Sequence, residues 1–286
     1  MAGIANGIRS FLKNGIYTLQ SFVGVFLHSH RLYTKQIKNI NSHNSKKAIR
    51  ILGNGESLKN IIDDFQQDSP FEYMVVNRHV LSPTYSVIRP KYYVVADPLF
   101  FTNEQELQII QKIKEDTQWP MYLFIPYTKS NKRFKHYFDG TAITVILYNG
   151  YAFRGYGGIT RMFYNLNMAM PRVQNVIVAC IFLSMKIGFD IIELYGVEHS
   201  WTKLLTVNDD NDVCLYNPHF FDKNDVEVRT FKEIHHATSG WRMHEVLRAY
   251  AMMFESYWVL RDYADYLHVD IINKTEGSFI DAFRRS

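Results

Sequence analysis

The hydrophobic positions change period along the chain. Over residues 4–26 they recur with helical spacing, at Ile4, Ile8, Phe11, Leu12, Ile16, Leu19, Phe22, Val23 and Phe26. Arg9, Lys13, Asn14, Gln20 and Ser21 fall mostly on the other side, so the pattern predicts an amphipathic helix within residues 1–38. The polar run at residues 39–47 reads as a linker. From residue 48 onward, short β-branched or aromatic runs alternate with helical patterns. Predicted strands are Ala48–Leu52, Tyr73–Val76, Tyr92–Ala96, Met121–Ile125, Ala142–Leu147, Ile191–Tyr195 and Val269–Ile272. Predicted helices cover 56–66, 103–115, 173–187 and 242–266. Alternation of this kind, with strands apolar at nearly every position, predicts an α/β domain over residues 48–286. Its sheet is expected to be mainly parallel, with helices on both faces.

Composition narrows the class. The 286 residues are 47% hydrophobic, 21% charged and 15% aromatic, which excludes a disordered, collagenous or polytopic membrane chain. The formal net charge of +4 conceals an asymmetry. Residues 1–50 carry eight bases (Arg9, Lys13, Arg31, Lys35, Lys38, Lys46, Lys47 and Arg50) and no acid, leaving 24 bases against 28 acids in the remainder. The longest apolar stretch of this leader, Phe22–Leu27, is too short to span a bilayer. A basic amphipathic helix without acids suits an anionic membrane surface, where each base contributes about 1 kcal/mol. Packing of the helix on the protein's own core is the alternative. No nucleic-acid recognition motif follows the leader. The two cysteines, Cys180 and Cys214, are too few for a disulfide framework, and no Cys/His metal spacing occurs. The expectation is a cytoplasmic protein, peripheral on the inner face of the cell membrane.

In a parallel sheet, ligands bind beyond the C-terminal strand ends. Four predicted ends carry polar groups: Gly53-Asn54-Gly55-Glu56-Ser57-Leu58, Asn77-Arg78, Asp97-Pro98 and Gly196-Val197-Glu198-His199-Ser200-Trp201. Gly53 and Gly55 permit close backbone approach, and the helix expected after them would offer N–H groups to an anion. The third glycine of a dinucleotide fingerprint and the Lys-Ser/Thr of a P-loop are both absent. Asn77 and Asp97 either read a base or ribose edge or cap the turns that follow.

This spaced set, Gly53-Asn54-Gly55-x-Ser57-Leu58, Asn77, Asp97-Pro98-Leu99-Phe100 and Gly188-Phe189 with Gly196-Val197-Glu198, resembles the bacterial lipo-oligosaccharide sialyltransferases of glycosyltransferase family 42. It also resembles the wider bacterial group sharing the Gly-Asn-Gly-x-Ser-Leu opening. The resemblance implies a Rossmann-like domain with a lid at about residues 200–240. It further implies an inverting transferase that uses a CMP-sugar, with CMP-sialic acid the leading donor, and no metal cofactor. Donor-nucleotide contacts would fall on Gly53, Asn54, Gly55, Ser57, Asn77, Asp97, Gly196 and Glu198. The family has Asn where this chain has Asp97, and Asp where it has Glu198. Tyr216, and more loosely Trp201, would face the leaving phosphate and stabilise its developing charge. The family's general base would be His236, then His235, with His244 just inside the last long helix. Arg172 and Asn175 lie nearest the family's Arg-containing segment and receive no role. The acceptor would be a glycan or glycolipid, and related enzymes form oligomers.

Two other readings stay open. Asp210 and Asp212 have the Asp-x-Asp spacing able to hold Mg or Mn against the diphosphate of a nucleotide-diphosphate sugar, or they shape a polar turn. A non-catalytic, membrane-docked nucleotide-binding module is the other. A pterin diphosphokinase shares a similar opening, but its triphosphate-binding loop is absent.

Overall fold

The computed structural model describes residues 2–41, 47–65, 70–216, 220–221, 227–234 and 239–285. Two helices, α1 (Ala2–His28) and α2 (Arg31–Asn41), precede the sheet. Strands β1 (Ala48–Leu52), β2 (Glu72–Val76) and β3 (Tyr92–Val94) follow, with the short helix α3 (Tyr85–Ile88) between the last two. Then come α4 (Leu99–Thr102), α5 (Glu104–Asp116), β4 (Met121–Pro126), α6 (Arg133–Tyr137) and β5 (Ile143–Tyr148). Helices α7 (Gly157–Asn165) and α8 (Val176–Ile187) lead back to β6 (Ile191–Tyr195). A small sheet of β7 (Leu205–Val207), β8 (Val213–Leu215) and β9 (Arg229–Thr230) is succeeded by α9 (Phe231–Ile234) and α10 (Met243–Leu267). Strands β10 (Asp270–Asn273) and β11 (Arg284–Arg285) end the chain.

The main sheet has eight strands in the order β11-β10-β6-β1-β2-β3-β4-β5, every pair parallel. The predicted Rossmann-like α/β architecture is therefore present. Its strands are apolar at successive positions because both faces are covered. Ile49, Ile51, Met74 and Val76 point into the layer of α2, α8 and α10, whereas Leu52, Tyr73 and Val75 point into the layer containing α5. Helix α8 is buried on every side, at the centre of the first layer, which is why its sequence is apolar all round.

Strands β1 to β5 step outward to one edge, after which the chain returns to place β6 on the other side of β1. The crevice between the C-terminal ends of β1 and β6 is thus the topological switch point, where ligands bind in sheets of this kind.

One local expectation is corrected, and one open alternative is decided. The helical pattern at 56–66 forms short 3₁₀ turns, Glu56–Asn60 and Ile62–Asp64, rather than an α-helix. Helix α1 does not pack its apolar stripe on the core, the alternative to a membrane-facing helix. Its small and polar face, with Thr18, Ser21 and Val25 buried, lies on the body, while Ile8, Phe11, Leu12, Ile16, Leu19, Val23, Phe26 and Leu27 are more than half exposed. The seat is built from named hydrogen bonds. The Tyr156 amide donates to Thr18 Oγ1 (3.0 Å), the Arg154 amide to Ser21 Oγ (2.9 Å), and Ser21 Oγ back to the Arg154 carbonyl (3.0 Å). Gly24 permits this approach, since a Cβ there would lie 1.9 Å from the Tyr151 hydroxyl. Among the described residues no helix is long and apolar enough to cross a membrane.

Candidate functional site

The first strand end is shaped by its neighbour. The Gly53 amide donates to the Tyr195 carbonyl (2.8 Å) and the Gly55 amide to the Gly196 carbonyl (3.0 Å), so the β1 and β6 loops run in contact. A Cβ on Gly53 would lie 2.2 Å from the Gly196 oxygen, and one on Gly55 would lie 1.5 Å from Glu198 Oε2. Both glycines are required by this protein-on-protein approach. The Glu198 carboxylate accepts the Ser57 amide at 2.7 Å. The anion expected at this turn is therefore supplied by the chain itself, and no helix N-terminus is presented to a ligand there.

A cavity of about 240 Å³ opens at the switch point, a little below the roughly 300 Å³ at which small-molecule sites usually begin. Gly53, Asn54, Gly55, Asn77, Gly196 and Glu198 line it, so six of the eight residues expected around a donor nucleotide are brought together. Trp201 lines it as well. Ser57 and Asp97 do not. The Asp97 carboxylate is exposed and accepts the Leu99 amide (2.9 Å), which makes it a turn cap. Tyr216 is half-buried, its amide donating to the Leu204 carbonyl (3.2 Å), and it lies outside the cavity lining. His235 and His236 lie outside the described residues. His244 is exposed on the first turn of α10.

Asn54 is held from behind. Its Nδ2 donates to the Val76 carbonyl (3.2 Å), and its Oδ1 lies 3.3 Å from Nδ1 of His79. His79 is fully buried, which lowers its pKa to about 3 and keeps it neutral. Asn77 adopts the left-handed region (φ 48°), which asparagine tolerates better than most residues, and its buried Oδ1 has no hydrogen-bond partner.

The residue that sequence reasoning passed over is His199. It is 5% exposed and lines the cavity, with Nε2 2.9 Å from the Tyr257 hydroxyl. Burial lowers its pKa to about 4, with the Val197 backbone pulling the other way, and no bond of proper geometry reaches Nδ1. Its ring also packs edge-on against Trp201 at 4.4 Å between centroids. The signal was in plain view, because His199 directly follows Glu198 at the end of β6. Its burial by Tyr257 of α10 was not. Asn175 and the first turn of α8 complete the wall, with Asn175 capping that helix through the Ile177 amide (2.8 Å). The Asp-x-Asp pair sits elsewhere. Asp210 is exposed and Asp212 half-buried in the β7–β8 hairpin, which is closed by the Asp212 amide on Asn208 Oδ1 (2.8 Å). Among the described residues no group of three acidic, His or Cys side chains is placed to hold a metal ion.

Chemically, the cavity offers hydrogen-bonding groups held in place by buried partners, rather than a nucleophile–base pair. It can recognise a polar ligand with several hydroxyl or amide groups.

No protein-family model matches the chain, and no curated protein does. Among solved structures, the chain is similar to the sialyltransferase CstII from Campylobacter jejuni in complex with cytidine-5'-monophosphate, with 15% identity over 85% of each chain and a TM-score of 0.43. It is similar as well to an alpha-2,3-sialyltransferase from Campylobacter jejuni in apo form, with 14% identity over 85% of this chain and 81% of that one and a TM-score of 0.46. A third is the sialyltransferase CST-II in complex with a trisaccharide acceptor and CMP, with 16% identity over 84% and 85% and a TM-score of 0.44. These likenesses are too distant to carry an argument about chemistry.

Proposed function

We propose that the protein is a glycosyltransferase that binds a CMP-activated sugar at the β1/β6 switch point, with CMP-sialic acid the leading donor. The observation that carries the reading is a pair of buried polar atoms on residues lining the cavity, Asn77 Oδ1 and His199 Nδ1, neither reached by a hydrogen bond of proper geometry. Leaving such atoms unpaired costs about 1–3 kcal/mol each, and a nucleotide's amino and hydroxyl groups would satisfy them. The spacing of Gly53-Asn54-Gly55 with Asn77 and Glu198, which resembles that of family 42 sialyltransferases, supports the choice of cytidine.

In this reading the transfer is inverting, and the acceptor hydroxyl gives its proton to His236, with His235 the second choice. His199 is unsuited to that role, because a base of pKa about 4 takes a proton poorly near neutral pH. It serves instead as a neutral hydrogen-bonding group. Tyr216 and Trp201 face the leaving phosphate once donor is bound. The acceptor is a glycan or glycolipid on the inner face of the cell membrane, against which α1 lies.

A thermal-shift panel of CMP, UDP, GDP and ATP, each with and without Mg²⁺, tests the reading. At 100 times its dissociation constant a ligand stabilises by about 2.7 kcal/mol. The expected outcome is stabilisation by CMP irrespective of Mg²⁺. Stabilisation by UDP alone, and only with Mg²⁺, would transfer the role to Asp210 and Asp212. Silence across the panel would remove the enzyme. His236→Ala is expected to keep the CMP response and to abolish transfer.

A further inference from the structure

A second, larger cavity of about 690 Å³ lies between α1, the segment 153–161 and α10. Its volume is in the range of small-molecule sites. Three kinds of group line it. Lys13, Arg161 and Arg172 are cations for which no carboxylate lies within salt-bridge distance among the described residues. The Arg172 guanidinium meets only the thioether of Met252, at 2.6 Å, and Arg161 lies over the Tyr266 ring. Glu255, Asp262 and Asp265 supply carboxylates, the first beside Arg154 and the last beside Arg261, each at 3.8 Å. The half-buried Tyr17 supplies aromatic surface, with the buried Tyr164 and Tyr263 behind the lining. In addition, the hydroxyl of Thr160 is buried at this wall without a hydrogen-bond partner.

Unpaired guanidinium and ammonium groups match a phosphate, and Arg does so with two parallel hydrogen bonds. Carboxylates and aromatic rings match the hydroxyls and apolar faces of a sugar. One wall of the cavity is α1 itself, whose opposite face carries Ile8, Phe11, Leu12, Ile16, Leu19 and Phe26 into solvent. A ligand whose phosphorylated sugar occupies the cavity and whose acyl chains continue past α1 satisfies all three features together. We infer that this cavity binds the phosphorylated sugar head of a membrane glycolipid.

Its position gives that lipid a role. Pro171 and Arg172 line this cavity, while Asn175 and Ile177, a few residues on, line the smaller one. Likewise Ser256 faces this cavity and its neighbour Tyr257 holds His199 of the other. No residue lines both cavities, but neighbouring positions of the same two segments serve each of them, so the bound lipid is the acceptor or its anchor. That role, though not the binding, rests on the transferase reading.

The full chain is sedimented with phosphatidylcholine vesicles carrying either a phosphorylated glucosamine lipid or phosphatidylglycerol at matched charge. Glucosamine 6-phosphate and inorganic phosphate serve as soluble competitors. Binding to the glycolipid vesicles is expected to be about tenfold tighter, equivalent to about 1.4 kcal/mol. Arg161→Ala and Thr160→Val are expected to erase that preference while retaining phosphatidylglycerol binding through α1. Thr160→Val removes a hydroxyl with no partner, so its fold is retained even if Arg161→Ala disturbs packing. Equal binding to both vesicle types, or a preference that survives both substitutions, overturns the inference. Competition by glucosamine 6-phosphate at the affinity of the glycolipid itself overturns the membrane source. The CMP thermal shift, read on the same variants, is expected to be unchanged. Its absence in the wild type, with the lipid preference intact, removes the transferase reading alone.

Discussion

Gly55 and Glu198 act as one unit, and the contact between them can be measured. The carboxylate holds the Ser57 amide at 2.7 Å and fills the space where a Gly55 Cβ would stand. Gly55→Ala must displace the carboxylate and lose that charge-assisted bond, at about 1.5–3 kcal/mol. In a Glu198→Ala background the obstacle is gone, so the same substitution should cost far less, and the coupling is read from urea midpoints in a double-mutant cycle. Gly53→Ala meets the Gly196 backbone at 2.2 Å and should not be rescued in this way. Additive costs for Gly55→Ala and Glu198→Ala would mean that the turn does not depend on the carboxylate. The Gly-Asn-Gly run was legible as a close-approach turn from its residues. What it approaches was not, because Glu198 lies 143 positions beyond Gly55 and only the parallel pairing of β1 with β6 brings the two together.

At the level of elements, the two leader helices behave differently. The α2 helix buries Ile37 and Ile40 in the same layer as α8, whereas α1 leaves its apolar stripe outside. Deleting residues 1–29 should therefore leave a folded protein that no longer sediments with anionic vesicles. Deleting through residue 41 uncovers α8 and loses at least two buried side chains worth about 1.5–3 kcal/mol each, so that product should aggregate or unfold. If the shorter deletion still binds vesicles, α1 is not the membrane-facing element. The periodicity of α1 was readable in advance, but the orientation was not. An amphipathic pattern states that two faces differ, and it was the pairing of Thr18 and Ser21 with the backbone of residues 154–156 that turned the polar face inward.

For the molecule as a whole, two buried neutral histidines make stability depend on pH. His79 and His199 have folded-state pKa values of about 3 and about 4, below the ordinary 6.5, because burial disfavours the imidazolium. Both values are depressed, so the unfolded chain binds protons that the folded chain refuses as pH falls below 6.5. Their contribution is complete above that pH and is lost progressively as pH falls toward the folded values. The urea midpoint should accordingly be lower at about pH 5 than at about pH 7, and replacing both histidines by Gln should shrink the difference. An unchanged wild-type midpoint across that window would contradict the burial of both rings.

The sequence by itself determined the class of the fold, the positions of most strands and the two glycines of the first turn. Runs such as Ile191–Tyr195 carry a local signal, apolar at successive positions and bounded by turn residues, that tertiary context does not overturn. Tertiary structure alone decided the strand order, and with it the switch point that assembles Asn54, Asn77, Glu198 and His199. It alone set the inward polar face of α1 and the cavity beneath it. These are contacts between residues far apart in the chain, chosen by which surfaces fit once both faces of the sheet are covered. No local period along the sequence encodes that choice.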